Sequence, residues 1–293
     1  MRSLMRSRAD IDRRPAGRRE RVRPFVHAGQ VRCASPCPLT APHALHLDAA
    51  TWRALLRELG PSLGLWRAAE VAVLRVVTYE PPILDLGCGD GATVSHVLTR
   101  VAFGVDPDAR ALARAARRGI YEQLLPVRVE ALPLRAGSMG TVLSNSVLEH
   151  IPRVDTVLQA VHRLLRPGGR LVFTAPTDVF GASLTVPIGA YTRWRNRSYG
   201  HVNLWPLRRW RAHLEHAGLE IEYTRSYLRS ALVRIWDALD LAQQLRAGRA
   251  GVVAALWHRL PDAWIDRWAD RLARCDLSAA HDGGGRLIVA RKR

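Results

Sequence analysis

The chain has 293 residues, 48% of them hydrophobic, enough to bury a core in one large domain or two small ones. Its net charge of +18 permits attraction to nucleic acid or anionic headgroups without establishing either, since residues 1–32 alone hold ten arginines against Asp10, Asp12 and Glu20. Four scattered cysteines exclude a disulfide framework, and the absence of any run of about 18 apolar residues or of a secretory core predicts a cytoplasmic chain without a spanning helix.

Residues 1–40 are rich in Arg and Pro without hydrophobic periodicity, so a disordered basic arm is expected. Cys33, Cys37, His43 and His46 invite a zinc reading; the gap between the cysteines is acceptable, but five residues before His43 leave little loop and two between the histidines fall below the usual ligand spacing. Residues 41–293 read as one domain. Its lead-in, 48–80, places apolar residues at helical intervals and predicts two helices broken at Gly60-Pro61. The stretch Pro82 to Gly91, P-I-L-D-L-G-C-G-D-G, is a short apolar strand that runs into a glycine turn. A helix is expected at Thr93–Thr99, then a strand at Val101–Val105, a helix at Asp108–Arg118 and a strand at Leu124–Val129. Further on come a strand at Thr141–Asn145, a helix at Val154–Leu165 and a strand at Arg170–Ala175. Such β-α alternation predicts an α/β fold: a Rossmann-like, doubly wound, mostly parallel sheet covered on both faces. The core spans 81–175. Beyond it, 176–285 holds a long connection, a helix at Leu207–Ala217, a strand at Leu219–Arg225 and a helical insert, before a last strand at 286–291.

Alternate glycines Gly87, Gly89 and Gly91 free the backbone to bend and approach a nucleotide-like ligand. Gly87, Gly89 and Ala92 also satisfy the dinucleotide fingerprint, and Asp106, twenty-one positions after Asp85, can hold ribose hydroxyls of either kind of cofactor.

The downstream series distinguishes them. Asp85-Leu86-Gly87-Cys88-Gly89-Asp90-Gly91 and Gly104-Val105-Asp106-Pro107 are followed by Glu130-Ala131-Leu132-Pro133-Leu134. Then come Leu143-Ser144-Asn145-Ser146-Val147-Leu148-Glu149-His150-Ile151 and Leu165-Arg166-Pro167-Gly168-Gly169. In order and spacing, residues 82–176 resemble a class I S-adenosylmethionine-dependent methyltransferase of the small-molecule kind, similar to types 11 and 12. The resemblance implies a seven-stranded sheet with the helical insert before its last strand, and S-adenosylmethionine as cofactor. It places the methionine part at the glycine turn (Asp85, Gly87, Cys88, Gly89) and the ribose at Asp106 and Pro107. Ala131 and Leu132 would flank the adenine, and Asn145, Ser146 and Val147 would lie beneath the cofactor. The acids this family often carries at the positions of Arg128 and Gly140 are absent, so Glu130 or backbone groups of Ala131 and Leu132 are the expected substitutes.

Cys88 reads as a small filler of the loop. His150 is either a helix-start residue in the cofactor pocket or a proton acceptor; His201, in the connection the resemblance places over the methyl group, is either the substrate-side base or an ordinary loop histidine. Methyl transfer needs no metal, and none is expected. Motifs for base-directed N6 and cytosine C5 methylation are missing, which makes nucleic acid a disfavoured acceptor and leaves a small molecule, or a lipid-linked glycan. The insert 227–274 puts Leu228, Leu232, Ile235, Trp236 and Leu239 on one helical face, followed by Trp257, Leu260, Trp264 and Trp268. That face could roof the site, pack on the sheet, or touch the inner membrane surface. RNA methylation and a non-catalytic cofactor-binding role are the competing readings; the sequence does not address oligomeric state.

Overall fold

The computed structural model describes residues 44–186, 188–244, 246–247, 250–251, 256–257, 259–280 and 283–293. The arm, with Cys33, Cys37 and His43, lies outside them.

The lead-in, α1 (Ala49–Leu74), is two helical segments joined at the expected break, where Gly60 leaves the helical conformation. Asp48 caps it by accepting from the Thr51 N–H at 2.8 Å. Gly60, at φ 78° and ψ −179°, and the donor-less Pro61 after it produce the kink. There follow β1 (Ile83–Leu86), β2 (Val101–Val105), α2 (Ala109–Ala115), β3 (Tyr121–Leu125), β4 (Met139–Asn145), α3 (Val154–Leu164) and β5 (Leu165–Pro176). The last third comprises α4 (Gly189–Tyr199), α5 (Leu207–His216), β6 (Leu219–Tyr227), α6 (Ser230–Gln244), a ribbon of β7 (Arg246–Ala247) and β8 (Ala250–Gly251), α7 (Asp262–Leu272) and β9 (Gly285–Lys292).

Seven strands form one sheet in the order β3-β2-β1-β4-β5-β9-β6, and β9 alone runs antiparallel to its neighbours. This is the doubly wound class expected. All four residues of β1 are buried, as a central strand covered on both faces requires. One face packs under α1, α6 and α7 through Trp52, Leu55, Trp66, Trp236 and Ile265; the other packs under α3 and α5 through Val157, Leu158, Trp210 and Leu214.

Three elements depart from the sequence reading. The third strand is Tyr121–Leu125, not Leu124–Val129: it is the sheet edge, where Glu122 and Gln123 face solvent and hide the strand from an apolar pattern. In place of a helix at 93–99 there is a single 3₁₀ turn, Val94–His96, in a stretch whose β-branched Thr93, Val94, Val97 and Thr99 are weak helix formers. The long connection holds the unforeseen α4. Of the insert's apolar face, Leu232 and Trp236 are buried on the sheet side and Leu228 is buried ahead of α6. Ile235, Trp264 and Trp268 are exposed. No helix among the described residues is long and apolar enough to cross a membrane.

Candidate active site

The chain passes from β3 at one edge back to β4 beside β1, so the loops after β1 and β4 part and leave a crevice at their carboxyl ends. Three cavities meet there, and Ser146, in the loop after β4, lines all three. Ser146 has a positive φ of 52°, uncommon for a side-chain-bearing residue. Its N–H donates to Thr174 Oγ1 at 3.0 Å, and its hydroxyl donates to Glu70, which holds it in that conformation.

The first cavity, about 260 Å³, lies against the glycine turn and is walled by Arg67, Asp85, Cys88, Gly89, Asn145 and Val147 among others. Gly87 (φ 72°) leaves no room for a side chain, because a Cβ would meet Val147 Cγ2 at 2.5 Å; at Gly89 (φ 54°) a Cβ would meet nothing within 4 Å and would project into open space. The turn is therefore a bare backbone cradle. Buried Asp85 accepts from the Tyr121 hydroxyl at 2.6 Å, and desolvation pushes its pKa up to about 7. Burial likewise pushes the Cys88 thiol well up, which suits a filler and not a nucleophile.

The second cavity, about 350 Å³, is walled by Asp106, Pro107, Arg128, Val129, Glu130 and Val147 among others. Asp106 Oδ2 accepts from the Gly89 N–H at 3.0 Å and Oδ1 from the Asp108 N–H at 2.8 Å, so the carboxylate is fixed across the mouth of the turn. Each oxygen keeps a lone pair for a hydroxyl. Ala131 and Leu132 do not line this cavity. Leu132 is buried in the core under α3, and the N–H groups of both residues close the 3₁₀ turn onto Arg128 O and Val129 O. Val127, Arg128, Val129 and Glu130 line it in their place. An acid at Gly140 is sterically impossible, because a Cβ there would sit 2.4 Å from Glu80 O.

The third cavity, about 120 Å³, is faced by Trp66, Phe180, Tyr199 and Trp236 on its apolar side and by Glu149, His150 and His201 at one end. Backbone bonds bring the last three together: the N–H groups of Val202 and Asn203 donate to Glu149 O at 2.8 and 3.0 Å, and Asn203 Nδ2 reaches Leu148 O and Ile151 O. His150 and His201 are thus 5.3 Å apart, centroid to centroid, although 51 residues separate them in the chain. Burial holds the His201 imidazole down at about 4 and pushes the Glu149 carboxyl up to about 8.

Residues 84–173 match the family described as a methyltransferase domain. An uncharacterized methyltransferase of Mycobacteroides abscessus is 34% identical over 151 residues, 47% of this chain and 57% of that protein. A ubiquinone biosynthesis O-methyltransferase of Nitrosococcus oceani is 31% identical over 115 residues, 37% of this chain and 49% of that one. The chain thus spans about half the length of these relatives. A geranyl diphosphate methyltransferase solved with GPP and sinefungin shares the fold at TM-score 0.53 and 17% identity, over 87% of this chain and 91% of that one.

A methyltransferase domain therefore occupies residues 84–173.

The first two cavities fit S-adenosylmethionine, the cofactor expected of such a domain. A bare cradle at Gly89 admits a thioether chain, Arg67 supplies a cation at the rim for a carboxylate, and Asp106 presents acceptors for a diol. Arg67 and Glu70 were not found from sequence. Glu70 is fully buried on α1 and gathers the Trp66 indole at 2.8 Å, Arg67 at 2.6 Å, the Asn145 amide at 2.9 Å and the Ser146 hydroxyl. The signal was present: a Trp-Arg pair followed by an acid three and four places on, within a helix otherwise apolar on that face. Glu149, part of the quoted motif, was passed over for the histidine beside it.

Proposed function

We propose that this methyltransferase transfers the methyl group of S-adenosylmethionine to the oxygen of a small, largely apolar acceptor seated in the aromatic cavity. The observation that carries the reading is that the glycine-turn cavity and the aromatic cavity share Leu63, Arg67 and Ser146 as common wall. A group held in one faces a group held in the other, which is the alignment an in-line displacement needs. The cofactor, when bound, supplies an electrophilic methyl on a sulfonium. The protein positions. Trp66, Phe180 and Trp236 hold an apolar acceptor and exclude water, with Trp66 and Trp236 packed at 5.0 Å between centroids and Phe180 edge-on to Trp66 at 5.7 Å. The acceptor's proton leaves toward Glu149, His150 and His201. His150 donates Nδ1–H to Gly200 O at 3.2 Å, which leaves Nε2 as the free lone pair of the group; His201, neutral at physiological pH but weakly basic, stands behind it.

A relative named as a ubiquinone biosynthesis O-methyltransferase favours a lipid-like or prenylated acceptor within this class. A narrow aromatic cavity suits it better than an RNA, which would need an open basic groove. The test is a mass-spectrometric screen of prenylated and aromatic hydroxyl compounds with labelled cofactor. The expected product carries one added methyl on oxygen. His201→Ala should lower turnover by roughly 10²- to 10⁴-fold with cofactor affinity unchanged, and His150→Ala, at a residue that also lines the second cavity, should lower turnover by as much; full turnover in both variants would remove the acceptor role of this cluster.

A further inference from the structure

Glu149, His150 and His201 are unusual as a group. Each offers a ligand atom, and those atoms lie within 4.8 Å of one another at the end of the aromatic cavity. Glu149 is 1% exposed, yet its Oε2 has no hydrogen-bond partner, and buried His201 Nδ1 has none either. Buried polar atoms left unpaired are rare and call for a cause. His150 Nε2 stands 3.7 Å from Glu149 Oε1, too far for a hydrogen bond. It is close to the roughly 3–3.5 Å that separates two ligands bound about 2.1 Å from one ion. The other nitrogen, Nδ1, donates to the Gly200 carbonyl. An imidazole tied by one nitrogen to a carbonyl, with the other pointing at a carboxylate, has the tautomer and orientation of a metal-binding histidine.

We propose that Glu149, His150 and His201 form a binding site for a divalent transition-metal ion, facing the aromatic cavity. Two imidazole nitrogens and one carboxylate oxygen suit Zn²⁺, Fe²⁺ or Co²⁺, and are too nitrogen-rich for Ca²⁺ or Mg²⁺. Three protein ligands leave coordination positions open toward the cavity, where an acceptor's oxygen fits. The ion would acidify that hydroxyl, whose proton passes to solvent. The oxygen then forms the new O–C bond as the S–C bond breaks and its electron pair stays on sulfur. In that case the ion replaces free imidazole as the group that ionises the acceptor. Binding of the ion is independent of the methyl-transfer reading; its catalytic use rests on it.

The test uses the full chain carrying Cys33→Ser and Cys37→Ser, so that thiolates elsewhere do not compete, stripped with chelator and titrated with Zn²⁺ by calorimetry and with Co²⁺ by visible absorption. One ion per chain is expected, with Co²⁺ d–d bands and no thiolate charge-transfer band. Glu149→Gln and His201→Asn should each weaken binding by at least about tenfold. S-adenosylhomocysteine binding, measured on the same samples, reports separately on the cofactor site and on folding. Absence of stoichiometric binding overturns the proposal, as does equal affinity in whichever conservative variant retains S-adenosylhomocysteine binding.

Discussion

At the scale of single residues, the site sets two buried or half-buried acids in unlike environments. Asp106 is half-buried and accepts two backbone N–H groups, whereas Asp85 is almost wholly buried at the wall of the glycine-turn cavity and accepts from a tyrosine hydroxyl. Asp106→Ala should therefore weaken S-adenosylhomocysteine binding by roughly 1.5–3 kcal/mol, the scale of hydrogen bonds to a charged group, and the protein should show no NAD binding in the same calorimeter. Asp85 has a pKa raised to about 7 from 3.8. Between those values the unfolded chain has lost the proton and the folded one keeps it, so this group makes stability fall as pH rises through that window. His201, depressed to about 4, acts in the opposite sense between about pH 4 and 6.5: the unfolded chain binds the proton and stability rises with pH. The raw profile mixes the two, and Glu149 adds a fall of the same sign as Asp85. The difference between wild type and Asp85→Asn isolates one. Denaturant titrations of the ligand-free protein at pH 4.5 and pH 8 should show the variant gaining, relative to wild type, on the order of a few kcal/mol. A difference that stays constant with pH would show that Asp85 is ionised throughout.

At the scale of elements, the aromatic wall stands where it does because α4 is pinned to α6. Arg195, fully buried on α4, bonds Asp237 and Asp240 at 2.8 Å each, while Tyr191 and Tyr199 add hydroxyls to the same two acids at 2.7 and 2.5 Å. The guanidinium also lies 4.8 Å from the Tyr199 ring centroid. Removing one member leaves uncompensated buried charge, so Arg195→Met is expected to lose about 3–5 kcal/mol in urea unfolding. A loss below about 1 kcal/mol would mean that water reaches the acids. None of this was legible in the sequence: α4 has a polar composition with no apolar stripe, and its helix is secured by an ion cluster with partners about 45 residues away. Strands β1, β2 and β4 were legible because burial on both faces leaves nearly continuous apolar runs. Edge strand β3 was misplaced for the converse reason. The glycine turn was read correctly from Gly87 and Gly89, whose positive φ values only glycine adopts readily. On the side expected to hold the adenine, Leu132 is an apolar residue that points into the core, and nothing in its neighbours in the sequence says which way it faces.

At the scale of the whole molecule, the work is divided between the sheet and what is laid over it. Cavity walls on the cofactor side come from the loops after β1, β2, β3 and β4, with Arg67 reaching in from α1. Walls on the acceptor side come from α1 (Trp66), the stretch after β5 (Phe180), the end of α4 with its following turn (Tyr199, His201) and α6 (Trp236). The connection and the insert, where acceptor recognition is expected, both line the aromatic cavity, the insert through Trp236 alone of its tryptophans. Trp257 is buried near the kink of α1, where its indole donates to Leu56 O at 2.8 Å, and Trp264 and Trp268 lie exposed on α7. This division predicts a separable phenotype. Trp236 packs against Trp66, Phe180 and Tyr199 and lines neither cofactor cavity. Trp236→Ala should raise the acceptor's KM by roughly 10- to 100-fold, as truncation of a central aromatic anchor does. S-adenosylhomocysteine affinity should stay within about twofold, because the glycine turn, Asp106 and Arg67 are untouched. Trp264→Ala, on the exposed face of α7, should change neither constant for a water-soluble acceptor. If Trp236→Ala instead lost cofactor affinity with acceptor KM unchanged, the aromatic cavity would belong to the cofactor, and the acceptor would have to enter from another face.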